Sequence, residues 1–365
     1  MIIDLIEVFL KHKWLRFFVA GLMVSSIGNG LTFVVVNGQL VDNNASEAIF
    51  IITFLLFTFP AWLGNYSGKI FKKYNSFNVI IIGDILGLLG LIIPLIGVIL
   101  NNNLLLMLSG VVTAYVAGLT FPEVQLMFKQ GLSKDKLPLA AGLDTLIFSS
   151  NVLLGVGIGV ILYGYIDIFL FFIIDGMSFL LAIALFILSR NKLKNNCIIK
   201  NVEKPTTDLI WSGLKSHQKV SILLLPILSF LGAPLSGLLP KLAPEFTSKY
   251  VLTLLFVRSF GQLLAPLILP ATRFKDFSKN KFILFGSIFS FIGLYLIIPF
   301  SPSIILTSLI IFLAHLLSNV YYSLSTFRIL DDFDQKHIHS ATSKSYRLQM
   351  ISMFLSSLIT AMLFI

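Results

Sequence analysis

The chain has 365 residues, 56% of them hydrophobic and 12% charged, with a mean hydropathy of +0.92. That is too little charge to cover a soluble domain of this length, and the apolar runs are continuous rather than alternating, which excludes a transmembrane β-barrel. The net charge of +10 reports orientation against an anionic inner leaflet and gives no argument for nucleic acid.

Met1–Leu10 is apolar but too short to span, and Asp4, Glu7 and Lys11 share one helical face. Residues 1–12 therefore predict an interfacial helix. The segment lacks the basic start and small-residue cleavage site of a signal peptide. Runs of about 20 apolar residues follow, each able to cross about 30 Å of hydrocarbon as a helix. They predict six spans in residues 1–190, over 14–41, 47–68, 77–100, 103–128, 137–164 and 168–189. Residues 191–218 form a polar, basic linker with Pro205, Thr206, Thr207 and the single Cys197, so no disulfide framework exists. Residues 219–365 predict five more spans, over 219–240, 250–270, 281–299, 303–326 and 343–364. Short basic connections recur at Lys69–Tyr74 and Arg273–Lys281, after the second span of each half, which suggests a duplicated architecture.

The basic residues orient this topology. With a cytoplasmic N-terminus, all but three of the 27 Lys and Arg residues fall in the inner segments. The exceptions are Lys241 and Lys249 in an outer loop and Arg258 inside a span. So uneven a division follows the positive-inside rule. The expectation is an all-α, multi-pass protein of the cell inner (plasma) membrane with a cytoplasmic N-terminus.

A charged side chain at mid-bilayer costs about 2.5–3.5 kcal/mol even on the lenient insertion scale, so it needs a partner, water or neutralisation. Asp84, Glu123, Asp144, Asp175 and Arg258 are the candidates. Asp84 and Asp175 read as structural carboxylates that fix helix contacts. Glu123 and Asp144, toward the inner ends of spans four and five, read either as solvated interfacial carboxylates beside Lys129 or Lys134 or as proton-coupling and gate sites. Proton coupling requires a carboxyl at least partly withdrawn from water. Arg258 sits about 12 Å inside span eight, too deep to snorkel easily, with Gln262 one turn further on the same face, and reads either as a substrate or gate residue or as one member of a structural ion pair. Polar stripes on other spans add Ser25, Asn29 and Thr32, then Asp144 with Asn151, then His315, Asn319 and Tyr322. Spans three and nine offer little comparable away from their ends. Together the stripes fit a central polar cavity, while ordinary interhelical hydrogen bonding explains any one of them. Arg258, Gln262, His315, Asn319, Asn29 and Asn151 are the candidates for substrate binding or gating.

Enzymatic motifs do not emerge. The chain has no Gly-x-x-x-x-Gly-Lys-[Ser/Thr] sequence, no His-Glu-x-x-His zinc motif and no Gly-x-Ser-x-Gly elbow. His337 and His339 lack the Cys or carboxylate company of a metal site. No cofactor is expected, and the oligomeric state is open.

Three stretches carry a resemblance. Phe121-Pro122-Glu123 with Lys136-Leu137-Pro138-Leu139-Ala140-Ala141-Gly142-Leu143, Ile174-Asp175-Gly176-Met177-Ser178-Phe179-Leu180, and Leu238-Leu239-Pro240-Lys241-Leu242-Ala243 resemble the major facilitator superfamily. They are most similar to its macrolide-efflux and enterobactin-exporter branch. The resemblance implies two six-helix bundles with peripheral third, sixth, ninth and twelfth helices, the twelfth having no counterpart here. It also implies an inner-gate loop, for which Gly64, Lys69, Lys72 and Lys73 are the matching positions. Gly68 stands where the superfamily carries an Asp, and Phe71 where it carries a second Gly, which implies altered gating. Gly155-Val156-Gly157-Ile158-Gly159 keeps the small residues of an exporter's fifth helix without its proline, a run that permits close helix packing by itself. The expected function is secondary transport of a small amphipathic organic substrate, as proton-coupled efflux. Uptake of a nutrient or siderophore, and a non-transporting immunity, sensor or scaffold protein, are the alternatives.

Overall fold

The computed structural model describes residues 2–43, 45, 47–71, 73–195, 209–238, 248–301 and 303–364. Lys72, Cys197, Lys241 and residues 239–243 of the third resembling stretch lie outside the described residues. Among those described, the chain is helical apart from turns and one isolated bridge between Tyr163 and Ile166.

Helix α1 (Ile2–Lys11) turns Leu5 and Val8 into the protein and leaves Ile3, Ile6 and Leu10 exposed. Glu7 lies 3.9 Å from Lys136 in an ion pair that ties α1 to the turn before the fifth span. Helix α2 (Lys13–Asp42) is the first expected span and α3 (Glu47–Ser67) the second. The third is split into α4 (Ser76–Gly90) and α5 (Ile92–Ile99). Pro94 causes the split, because it has no N–H for the Gly90 carbonyl and its ring crowds that carbonyl. Helix α6 (Asn103–Gly131) starts where Asn102 Oδ1 accepts from the Leu104 and Leu105 amides at 3.0 and 3.1 Å, as N-caps do.

The fifth span joins α7 (Leu137–Ser150), a π turn over Asn151–Val156, and α8 (Gly157–Leu162). Helix α9 (Ile168–Asn195) ends the first half. The described end of the linker docks on the last helix. Leu209 N donates to Ser340 Oγ at 3.1 Å, and Trp211 carries the ammonium groups of Lys219 and Lys344 over its ring at 6.0 and 5.1 Å. The second half holds α10 (Ser216–Leu238), α11 (Ser248–Ile268), α12 (Phe274–Lys279), α13 (Lys281–Ile297), α14 (Ile304–Asp332) and α15 (Ile338–Phe364). Each expected span thus coincides with a helix or a broken helix. By length and apolarity, 8 of the described helices can cross a membrane, or up to 9 if α11 and α12, bent by 79°, count as one span. Helices α3 and α15, of 21 and 27 residues, pack among them.

Within the first half, α2 packs along α9, α3 along α6, and α4 against both α6 and α9. Phe18 anchors the basic end of this bundle, meeting Phe77 and Phe128 edge-on at centroid distances of 5.7 and 5.9 Å, the geometry aromatic quadrupoles favour. In the second half α11 and α13 pack on α14, and α10 on α15. The halves meet where α15 lies on α3 and α6 and where α11 and α14 lie on α7. Large apolar side chains such as Phe282 and Ile305 cover the outside, a surface suited to lipid and not to water.

Candidate functional site

Two polar nodes and one polar seam emerge from this packing. The first node bridges the halves toward the end of the bundle that carries the basic loops. Asp144 on α7 accepts from Gln125 Nε2 of α6 at 3.0 Å and from the Tyr322 hydroxyl of α14. One half-turn from Gln125, the fully buried Glu123 faces His339 at the start of α15, with Oε1 and Nε2 3.2 Å apart. Lys129 Nζ donates to the Leu330 carbonyl of α14, and the Phe121 and Tyr346 rings lie 4.9 Å apart. Apart from Gln125–Asp144, which lies within the first half, the other four connections join the first half to the second, so the basic end is closed. Glu123 is thus a buried carboxylate and not a solvated one, and its described ion-pair partner is His339. His337 pairs with Asp334 at 2.7 Å outside the spans. Burial works against that carboxylate, but hydrogen bonds from His337 hold it below the usual range. No group of three or more potential metal ligands occurs among the described residues.

The second node lies inside the second half. Arg258 is the eleventh of the 21 residues of α11, hence about 15 Å from either helix end. Helix α11 begins two residues before the expected span, which makes Arg258 deeper than the sequence suggested. His315 on α14 is 2% exposed. Its Nε2 lies 2.5 Å from the Tyr295 hydroxyl of α13, and its Nδ1 lies 3.4 Å from the Gln262 amide. The Asn319 amide donates to the Gln262 backbone carbonyl. Close approach of α11 and α14 makes this possible, because a Cβ on Gly261 would sit 2.5 Å from the Phe312 carbonyl oxygen. Arg258 is within electrostatic reach of Tyr295 and His315. Four expected residues, Arg258, Gln262, His315 and Asn319, are thereby brought together.

The seam belongs to the first half. Ser25 of α2 donates to Asp84 at 3.2 Å, Thr32 donates to Asp175 at 2.5 Å, and Ser178 donates to both the Asp175 carbonyl and its carboxylate. Asn29 donates to the Ser25 carbonyl one turn back, and Asn151 to the Ser26 carbonyl at 2.7 Å. The side chains of Asn29 and Asn151 are therefore engaged in helix contacts and make no bond to either node. Gly64 lies where α3 crosses α6, and a Cβ there would meet the Tyr115 carbonyl at 1.9 Å. The following loop stacks Lys69 over Tyr66 at 5.1 Å and Lys73 over Tyr74 at 5.6 Å.

Gln125, Tyr295 and Tyr346 were not legible as site residues. A neutral amide or phenol costs little inside an apolar helix compared with a charge, so it leaves no comparable mark in the sequence. Tyr295 offered one signal, a lone phenol on a span whose other interior polar residues are the serines Ser287 and Ser290.

The sequence profile described as Major Facilitator Superfamily matches residues 13–359. The chain belongs to the major facilitator superfamily. Solved superfamily-like structures share its fold across almost its whole length. A bacterial homologue of the iron transporter ferroportin in an outward-facing state has a TM-score of 0.69 at 13% identity, covering 95% of this chain and 92% of that one. The human organic anion transporter MFSD10 gives 0.70 at 10% identity, covering 94% and 92%. The Escherichia coli fucose:proton symporter gives 0.63 at 12%, covering 95% and 91%. At these identities the likeness is one of fold. A curated relative from Pseudescherichia vulneris, described as an uncharacterized 29.9 kDa protein in the crtE 3' region, is 34% identical over 68 residues. That match spans 19% of this chain and 25% of the relative. This superfamily member is a multi-pass membrane protein with the fold of secondary transporters.

Proposed function

We propose that the chain exports an amphipathic organic compound, drug-, macrolide- or siderophore-like, across the inner membrane by alternating access, driven by inward proton flow. The observation that carries this reading is the Gln125–Asp144–Tyr322 node, where a carboxylate of one half is held by a hydroxyl of the other at the closed end. Two bundles that rock about a midplane site must break that contact to open the basic end, which this reading places in the cytoplasm. Proton binding at Asp144, and at Glu123 beside His339, removes the charge that holds the contact and couples the proton to the opening. Arg258, Gln262, His315 and Asn319 form the substrate side, Asn151 seats the fifth span against α2 while Asn29 bonds back within α2, and Gly64 lets α3 cross α6 at the head of the loop whose Lys69, Lys72 and Lys73 move with the gate. Asp84 and Asp175 keep α2 fixed to α4 and α9. Residues 191–218 are the cytoplasmic basic linker between the two bundles.

The test is efflux from cells lacking their main pumps, loaded with a panel of macrolides, siderophores and lipophilic ions. Loss of a compound that stops on adding a protonophore, and in Asp144→Asn, is the expected result. Efflux that continues unchanged in both conditions would refute proton coupling, and retention of every compound by correctly inserted protein would turn the reading toward uptake.

A further inference from the structure

The four intramembrane carboxylates all lie in the first half, and each has a described neutral or histidine partner: Asp84 with Ser25, Glu123 with His339, Asp144 with Tyr322, Asp175 with Thr32. The intramembrane cation Arg258 lies in the second half. Among the described residues no carboxylate comes within ion-pair distance of it, and its named electrostatic neighbours, Tyr295 and His315, are neutral or weakly basic groups. Other arginines of this chain behave differently. Arg328 lies 3.5 Å from Asp332, and Arg190 donates to Asn78 at 2.9 Å. A guanidinium at mid-helix is too far from either surface for a lipid headgroup, and leaving it uncompensated in a low-dielectric medium is costly.

A second observation points to the same place. Gln262, one turn from Arg258 on the same helix face, presents one amide atom to His315 while the other, Oε1 as placed, is buried with no hydrogen-bond partner. Buried polar atoms are rarely left so, and turning the amide over would only exchange an unmet acceptor for an unmet donor. The node therefore combines a net positive charge with unused hydrogen-bonding capacity at the depth where transporters of this architecture hold their substrates.

We propose that Arg258 receives an anionic group of the substrate, a carboxylate or a comparable oxyanion, so that the compound moved is an organic anion. This rests on the transporter reading above and narrows its substrate class. A planar guanidinium binds an oxyanion through two parallel N–H···O bonds, which gives orientation as well as attraction. With the apolar helix surfaces around it, the site accepts an amphipathic acid and disfavours an amphipathic cation by like-charge repulsion.

Binding and transport are measured separately on the purified full-length chain. The probes are carboxyfluorescein, anionic at neutral pH, and a rhodamine methyl ester, cationic on the same three-ring frame. Fluorescence anisotropy in detergent should show carboxyfluorescein bound about tenfold or more tightly than the ester, with Arg258→Gln losing about tenfold or more and Arg258→Lys falling between. Benzoate should displace the dye from unmodified protein better than benzamide, a comparison that needs no variant. Equal or tighter binding of the ester, wild-type affinity in Arg258→Gln, or binding of neither dye would overturn the assignment. Carboxyfluorescein binding without uptake into proteoliposomes would instead keep the anion site and sink the transporter reading. Uptake of the ester alone would do the reverse.

Discussion

Asp144 depends on two neutral partners, and removing either separates binding from coupling. Tyr322→Phe deletes one hydrogen bond across the halves, worth about 1 kcal/mol among membrane helices. The closed basic end should lose about fivefold in its population ratio, read as faster labelling of a cysteine placed at that end. Unchanged labelling would mean that the contact does not hold the gate. Asp144→Asn keeps a polar side chain at the node but cannot release a proton, so substrate exchange between equal pools should survive while gradient-driven transport disappears. Asp175 poses a different question. Its alanine variant leaves Thr32 without its acceptor and Ser178 with only the Asp175 backbone carbonyl, and should lower stability by about 1–3 kcal/mol, whereas Asp175→Asn should recover part of that. Thermal unfolding of the purified protein settles it, and an alanine variant that melts like the parent would remove the structural role. At this scale the sequence exposed the charges, because each costs enough in lipid to demand explanation. It did not expose Gln125, Tyr295 or Tyr346, whose importance comes from which helix faces them.

Among elements, close approach of backbones sets the geometry of the first half. A Cβ on Gly155 would lie 2.6 Å from the Ile27 carbonyl oxygen and 2.8 Å from the Gly30 Cα, so α2 reaches the fifth span only because both positions are glycine. Gly155→Val should force these helices apart and sharply reduce the monodisperse yield on size exclusion. Gly286→Ala, with open space around its Cβ, should leave the yield unchanged. Equal yields from the two variants would show that the contact is dispensable. The glycine run was visible in the sequence as a packing device. The break of the third span was not, since an apolar pattern over 77–100 marks where a helix can cross but not where Pro94 interrupts its bonds.

At the scale of the molecule, the spans and their pairing into halves follow from apolar runs and the distribution of basic residues. Which end is closed does not, because that depends on contacts such as Phe121 with Tyr346 between segments more than two hundred residues apart. Those rings are in contact, so a short bis-thiol reagent with a reducible link can bridge the two positions. In a Cys197→Ser background, Phe121→Cys with Tyr346→Cys treated with that reagent should stop transporting, and reductant should restore it. Transport that continues through the cross-linked protein would mean that the basic end does not open during the cycle.

The π turn at Asn151–Val156 has a consequence for insertions and deletions. Such a turn holds about one residue more than an α-helix over the same stretch, and each residue rotates a helix by about 100°. Asp144 precedes the turn, while Gly159, which meets Val34 of α2, follows it. Deleting a single residue between 151 and 156 would give an unbroken α-helix of nearly correct length. Both faces would keep their partners, whereas deleting a residue from the flanking α-helical turns would swing one of them about 100° away, so the span could keep its seat on α2 or its hold on Tyr322, but not both.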